Sequence, residues 1–156
     1  MTRLLRHTQE YNGNRYHLIR DCVQYQTPFA IYNFTNSKQY NQFLNDLDSF
    51  GKLNYCLQTI TSLAEQRHKL RMVYPSIFVT NKDTNIKLDD FKKIIKESIS
   101  HYKLDSIVCL YDGAISVFYK DGNHHSIGSS IYSSNQMHEF NSDFYQIESI
   151  YYTFIH

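Results

Sequence analysis

The chain has 156 residues, 42% of them hydrophobic and 20% charged, which is ordinary for a soluble globular protein and predicts a single domain over residues 1–156. Phe, Tyr, Met, Ile, Asn and Lys together number 64, against 16 Gly, Ala, Arg and Pro, a skew typical of the AT-rich genomes of low-GC bacteria, their phages and mobile elements. No segment approaches the roughly 18 consecutive apolar residues of a membrane span, and the N-terminus lacks the apolar run of a signal peptide. We therefore expect a cytoplasmic protein without membrane contact.

Charge is unevenly distributed, although the formal net charge is only +1. Residues 67–103 carry nine Lys and Arg against four Asp and Glu, whereas residues 104–156 carry one Lys against six acidic residues. The two segments either complement each other within the fold or provide a basic surface for an acidic partner. Three widely spaced cysteines without a CxxC pair indicate reduced, buried thiols: Cys22, Cys56 and Cys109.

In chain order, the N-terminal part predicts two strands followed by two helices. Residues 15–25 contain β-forming residues with imperfect alternation and predict a strand, and residues 28–35 predict a second strand. Asn36 is a suitable N-cap for a helix over residues 37–50. Apolar residues in the segment 53–64 then recur at helical spacing, which predicts a second helix and an antiparallel helical hairpin.

The middle of the chain predicts an irregular strand and the clearest helix. Residues 70–80 read as a strand that Pro75 interrupts or confines to a sheet edge, because proline cannot donate a backbone hydrogen bond. Residues 88–102 have a continuous apolar stripe with acidic residues in the first turn, which predicts a helix. Residues 144–155 fit a helix or a strand, and their aromatic and β-branched content favours the strand.

The strongest local signal lies in residues 105–133, where Asp112-Gly113 separates two apolar runs and predicts a hairpin. A turn at this position pairs Val108 with Val117 and places both on one buried face. A third run follows, so the segment predicts a three-stranded meander. With the helix 88–102 laid over that buried face, the expected fold class is α+β, an antiparallel sheet centred on the meander (about 105–133) and packed against about three helices.

Candidate catalytic residues are few. His124 and His125 are adjacent on a predicted strand and point to opposite faces, so they do not bind one metal ion together. His125 is a candidate general acid or base if the fold brings His138 or His101 near it, and the alternative is a solvated hairpin tip with ordinary histidines. No zinc-ligand spacing and no glycine-rich phosphate loop occurs, so we expect neither a metal nor a cofactor.

Candidate nucleic-acid contacts cluster in the basic segment. Lys and Arg there are suited to neutralising phosphates, although the same residues also suit the solvated side of a helix, and no known nucleic-acid motif supports the interpretation. The candidates are Arg67, Lys69, Arg71, Lys92, Lys93 and Lys96.

Small size, composition, split charge and the missing catalytic motifs favour a non-catalytic binding protein encoded by a phage or mobile element. In this interpretation it inhibits or regulates a larger host or defence factor, a profile shared with anti-CRISPR-like counter-defence proteins. Two alternatives stay open, a histidine-dependent phosphodiesterase or nuclease that uses His125, and a nucleic-acid-binding accessory protein. Edge strands and aromatic surface also allow a homodimer.

Overall fold

The structure is a computed structural model that describes residues 8–34, 36–47, 53–63 and 72–156. The described residues form ten strands, three α-helices and one short 3₁₀ turn. The strands are β1 (Thr8–Glu10), β2 (Phe29–Asn33), β3 (Leu53–Ser62), β4 (Met72–Thr80), β5 (Ser106–Leu110), β6 (Ile115–Tyr119), β7 (His124–Gly128), β8 (Ser130–Ser134), β9 (Phe144–Ile147) and β10 (Ile150–Ile155). The helices are α1 (Arg15–Gln24), α2 (Ser37–Leu47) and α3 (Leu88–His101), and the 3₁₀ turn is Met137–Glu139.

All ten strands belong to one sheet, in the order β7-β6-β5-β2-β4-β3-β9-β10-β8, with β1 paired to β3 alongside this path. The β1–β3 pairing is parallel and the others are antiparallel. β7 and β8 stand at the two ends of the order, yet only Ser129 separates them in the chain. Residues 124–134 therefore form one bent strand that pairs first with β6 and then with β10, so the sheet curls until it nearly closes on itself.

The inner face of the curled sheet forms one hydrophobic core. Phe29 of β2 stacks on Phe154 of β10 with ring centroids 5.9 Å apart, although three strands separate them in the sheet order. α1 packs into the same interior and buries Ile19 and Cys22 there. Contacts across the interior between distant strands show that this face is the concave one.

The outer face of the sheet forms a second core beneath two helices. Phe43 of α2, together with Phe91 and Ile95 of α3, packs against Ile77 and Ile107 of the sheet. The central strands are thus covered on both faces, which removes the alternation of polar and apolar residues expected for a half-exposed strand.

Two secondary-structure predictions are wrong. α1 occupies the segment 15–25 that predicted a strand, because Asn14 caps the helix by accepting a hydrogen bond from the His17 N–H (2.9 Å). β3 (Leu53–Ser62) occupies the described part of the segment 53–64 that predicted a helix. Since β3 is buried on both faces, its apolar residues follow no strict alternation and imitate helical spacing.

Pro75 does not confine its strand to an edge, contrary to the prediction. β4 runs through Pro75 without interruption and lies between β2 and β3. The Pro75 carbonyl accepts a hydrogen bond from the Phe34 N–H (3.2 Å), immediately after β2 ends. The missing N–H of the proline therefore faces the point where β2 leaves the sheet, so an internal strand tolerates it.

Several other secondary-structure predictions are confirmed. β2 and α3 form where the sequence predicted them, and α2 covers residues 37–47 of the helix predicted over 37–50, whose last three residues lie outside the described ranges. Asn36 caps α2 by accepting a hydrogen bond from the Gln39 N–H (2.9 Å). Residues 144–155 are strand, divided between β9 and β10. Among the described residues, none of the helices has the length and apolar character needed to span a lipid bilayer.

The predicted fold, a sheet centred on the meander of residues 105–133, is wrong. β5, β6 and β7 do pair consecutively, with Val108 opposite Val117, but they form one end of a much larger sheet. α3 packs on the face that carries Ile107 and Cys109, whereas Val108 points into the curled interior. Only the broad mixture of helices with an antiparallel sheet agrees with the expectation.

Candidate functional site

A cavity of about 740 Å³ opens into the interior of the curled sheet. Side chains from both halves of the sheet meet there, and α1 contributes no described residue to its lining. Its apolar wall consists of Ile60, Leu63, Val108, Val117, Ile127 and Phe154. Its polar lining consists of Asn33, Ser106, Asn141, Ser142, Asp143, Tyr145 and Thr153.

A row of polar side chains, all buried except the half-buried Asn33, crosses the sheet beside this cavity. The Tyr152 hydroxyl donates to Gln58 Oε1 (2.6 Å), and Gln58 Nε2 donates to Ser76 Oγ (3.4 Å). The Ser76 hydroxyl donates to Asn33 Oδ1 (2.9 Å), and the Asn33 side chain is hydrogen-bonded to Tyr145. We call these five side chains the polar chain. Each buried polar group in it is paired, which is the condition for keeping such groups in a core.

The two tyrosines at the ends of the polar chain stay neutral over the ordinary pH range. Burial raises the pKa of Tyr145 far above its usual value, and the hydrogen bond with Asn33 only partly opposes this shift. Burial likewise raises the pKa of Tyr152. Both hydroxyls are therefore hydrogen-bonding groups and not charges.

Asp143 places a carboxylate at the rim of the cavity. Its Oδ1 accepts a hydrogen bond from the Leu63 N–H (2.8 Å), and its backbone carbonyl accepts one from the Thr153 hydroxyl (3.1 Å). These contacts join the loop before β9 to β3 and β10. Among the described residues that line the cavity, none is a Lys or Arg.

The two histidines proposed for catalysis lie on different elements. His125 is on β7, with Nδ1 3.4 Å from the Tyr119 hydroxyl, and His138 is exposed on the 3₁₀ turn. Within the described ranges, no hydrogen bond or ring contact joins them. His124 stacks on Phe118 (5.1 Å between centroids), so the two adjacent histidines do face opposite ways.

Three of the six candidate nucleic-acid residues lie on α3. Lys92 is bound to Asp112, with Nζ 2.6 Å from Oδ1, and lies 5.3 Å from the centre of the Tyr111 ring. Lys93 and Lys96 border a shallow surface groove of about 590 Å³. Arg67, Lys69 and Arg71 lie outside the described residues. Nucleic-acid binding thus stays a prediction.

Sequence reasoning missed the polar chain and the cavity beside it. Ser76 stands between Pro75 and Ile77, and Gln58 directly follows Leu57, so a polar residue interrupting each apolar run was the available signal. Which partner each side chain meets depends on pairing between distant strands, which no local pattern shows.

A site for a metal ion needs several ligating side chains close together. No group of three His, Cys, Asp or Glu side chains converges within residues 8–34, 36–47, 53–63 and 72–156.

The fold and the site together define a curled antiparallel sheet with an accessible, mainly apolar interior and a hydrogen-bonded polar row beside it. Comparison with protein-family models, with curated proteins and with solved structures finds no match. The geometry of the chain is therefore the basis for any functional conclusion.

Proposed function

We propose that this is a non-catalytic binding protein that holds a small, largely apolar molecule in the interior cavity. The observation that supports the proposal is the cavity of about 740 Å³ between the two halves of the curled sheet. Ligand sites in proteins are concave, usually between about 300 and 1,000 Å³, and mainly apolar with a few polar groups that fix orientation. Closed sheets of about eight strands enclose just enough space for one small ligand.

Other parts of the expectation from sequence stay predictions. A host or defence factor as the regulated partner, a homodimer, a nucleic-acid partner and histidine-dependent hydrolysis are not tested by the geometry. A cytoplasmic location is supported by the cysteines, because all three are buried thiols and burial raises the pKa of Cys22 to about 11. Thiols of this kind suit a reducing compartment.

Binding of a neutral fluorescent probe tests the proposal. N-phenyl-1-naphthylamine fluoresces weakly in water and strongly in an apolar cavity, so we expect saturable enhancement on titration with the protein. The variant Val117→Phe places a ring in the cavity from β6 and should weaken probe binding at least about tenfold, equal to about 1.4 kcal/mol.

The control for this experiment is Val73→Phe, which makes the same substitution at a side chain that is 61% exposed and does not line the cavity. It should bind the probe like the unaltered protein. Circular dichroism establishes that both variants are folded. Equal probe affinity in Val117→Phe and the unaltered protein would rule out the cavity as the binding site.

A further inference from the structure

The hydrogen bonds of the polar chain run in one direction. Tyr152 donates to Gln58, Gln58 donates through its amide nitrogen to Ser76, and Ser76 donates to Asn33. Gln58 and Ser76 thus each accept from one neighbour and donate to the next. Chains of this kind polarise their members, which strengthens the donor at the far end.

The far end of the chain is the Tyr145 hydroxyl. Asn33 Oδ1 accepts from the Ser76 hydroxyl, and the orientation that continues the direction of the chain has the Asn33 amide N–H donating to the Tyr145 oxygen. The Tyr145 oxygen is then the acceptor, and its own proton is left to be donated elsewhere. Tyr145 is 5% exposed and lines the cavity.

The charge around the cavity disfavours an anion. The described lining contains the Asp143 carboxylate and none of the Lys or Arg side chains that would compensate a bound negative charge. Among these described lining residues an anion would lose its hydration and meet the Asp143 carboxylate instead of an ionic partner. A neutral ligand has no ionic hydration to lose and needs no ionic partner.

We infer that the cavity takes an uncharged, mainly apolar molecule with a carbonyl or hydroxyl oxygen, and that Tyr145 donates a hydrogen bond to that oxygen. This inference rests on the proposed function, since it specifies the ligand of the same cavity. Ile60, Val108 and Phe154 provide the apolar contacts around the ligand. A buried donor rejects a ligand that lacks the acceptor, because the donor is then left unpaired.

Displacement of bound N-phenyl-1-naphthylamine by three matched compounds tests the inference. 2-Acetylnaphthalene offers a ketone oxygen, 2-ethylnaphthalene lacks the acceptor at similar size, and 2-naphthoate adds a negative charge. We expect the ketone to displace the probe at concentrations about tenfold lower than either of the other two. Equal displacement by the ketone and the ethyl compound, or by the ketone and the naphthoate, would overturn the inference.

The variant Tyr145→Phe identifies the donor. It should bind the probe while losing the preference for the ketone over the ethyl compound to within about twofold. Tyr32→Phe is the matched control, because it makes the same change at a fully buried tyrosine of the outer core, outside both the polar chain and the cavity lining, and should keep the preference. A preference that survives in Tyr145→Phe would contradict the assignment.

The outcomes separate the inference from the proposed function. If the probe binds but the three compounds compete equally, the cavity is a binding site and the role of Tyr145 is wrong. If the probe does not bind the unaltered protein, the proposed function itself is wrong. The comparison of compounds on the unaltered protein decides the inference even if Tyr145→Phe does not fold.

Discussion

At the scale of single residues, the Tyr102 hydroxyl illustrates how strongly one hydrogen bond can matter in this core. Tyr102, directly after α3, donates to the Asp46 carboxylate on α2, and both side chains are buried. The variant Tyr102→Phe removes the donor and leaves the buried Asp46 carboxyl oxygen without its hydrogen-bond partner. We expect the free energy of unfolding to fall by about 2 kcal/mol, measured by urea denaturation.

A double variant is the control for that measurement. Combining Tyr102→Phe with Asp46→Leu replaces both partners by apolar groups, so no buried polar atom is left unpaired and much of the stability should return. If the single variant is as stable as the unaltered protein, the hydrogen bond between Tyr102 and Asp46 makes no net contribution to the free energy of unfolding. A double variant less stable than the single one would show that Asp46 has another buried role.

Residue type alone predicted which side chains are buried better than it predicted their hydrogen-bond partners. Tyr102 was part of the apolar stripe expected for the helix 88–102, and it is indeed 3% exposed. Its hydroxyl partner, 56 positions earlier in the chain, had no sequence signal. The same limit applies to Gln58 and Tyr152, which bond across 94 positions. Polar partners in a core are set by tertiary structure, which a local pattern does not contain.

At the scale of elements, the bent strand of residues 124–134 depends on Gly128. Its φ is +155°, and a Cβ at this position would overlap the backbone carbonyl of Ile155. The neighbouring Ser129 N–H donates to the same carbonyl oxygen (2.9 Å), so the bent strand and β10 cannot separate at this point without losing that hydrogen bond. Gly128→Ala should therefore lower the free energy of unfolding by about 2 kcal/mol or more.

Gly113→Ala is the matched control for this position. Gly113 also has positive φ, +109°, but a Cβ there meets no atom within 4 Å. That variant therefore reports the backbone preference alone, at a cost of about 1 kcal/mol. Urea denaturation of both proteins gives the difference due to the overlap. If the two variants are equally destabilised, close approach at Gly128 does not limit the closure of the sheet.

The elements that were predicted correctly are those whose evidence is local. α3 has a regular apolar stripe and acidic residues in its first turn, and the Asp112-Gly113 turn sets the pairing of Val108 with Val117. β3 was mistaken for a helix because its burial on both faces comes from α2 and α3 outside and α1 inside. The covering layers decide its pattern, and they lie far away in the chain.

At the scale of the whole molecule, the closure of the sheet could not be derived from the sequence. β2 pairs with β4 and β5, and β3 pairs with β9, so the path of the sheet repeatedly joins distant segments. The hairpin 105–119 was a sound local prediction, but its place at one end of ten strands follows from these non-local pairings. The cavity exists only because of that closure, which is why the site was missed together with the fold.

The buried thiols and tyrosine hydroxyls also predict how the stability of the whole molecule changes at alkaline pH. In an unfolded chain, thiols ionise near pH 8.5 and tyrosines near pH 10. In the folded protein burial raises the pKa of Cys22 to about 11 and raises the pKa values of Tyr32, Tyr145 and Tyr152 further above their usual range. Above about pH 8.5 the unfolded state therefore binds fewer protons than the folded state, and the free energy of unfolding falls as the pH rises.

The size of this effect is set by the number of groups involved. Each fully buried tyrosine lowers the free energy of unfolding by about 1.4 kcal/mol per pH unit once the pH exceeds about 10, while the stabilisation is complete below that value. Urea denaturation at intervals from about pH 7 to about pH 11 measures the slope. Tyr32→Phe should make the slope above about pH 10 shallower by about 1.4 kcal/mol per pH unit. Tyr25→Phe, at a ring that is 70% exposed, should leave the slope unchanged. Stability that is constant up to pH 11 would mean that these hydroxyls reach solvent, and the closed core described for both faces of the sheet would be wrong.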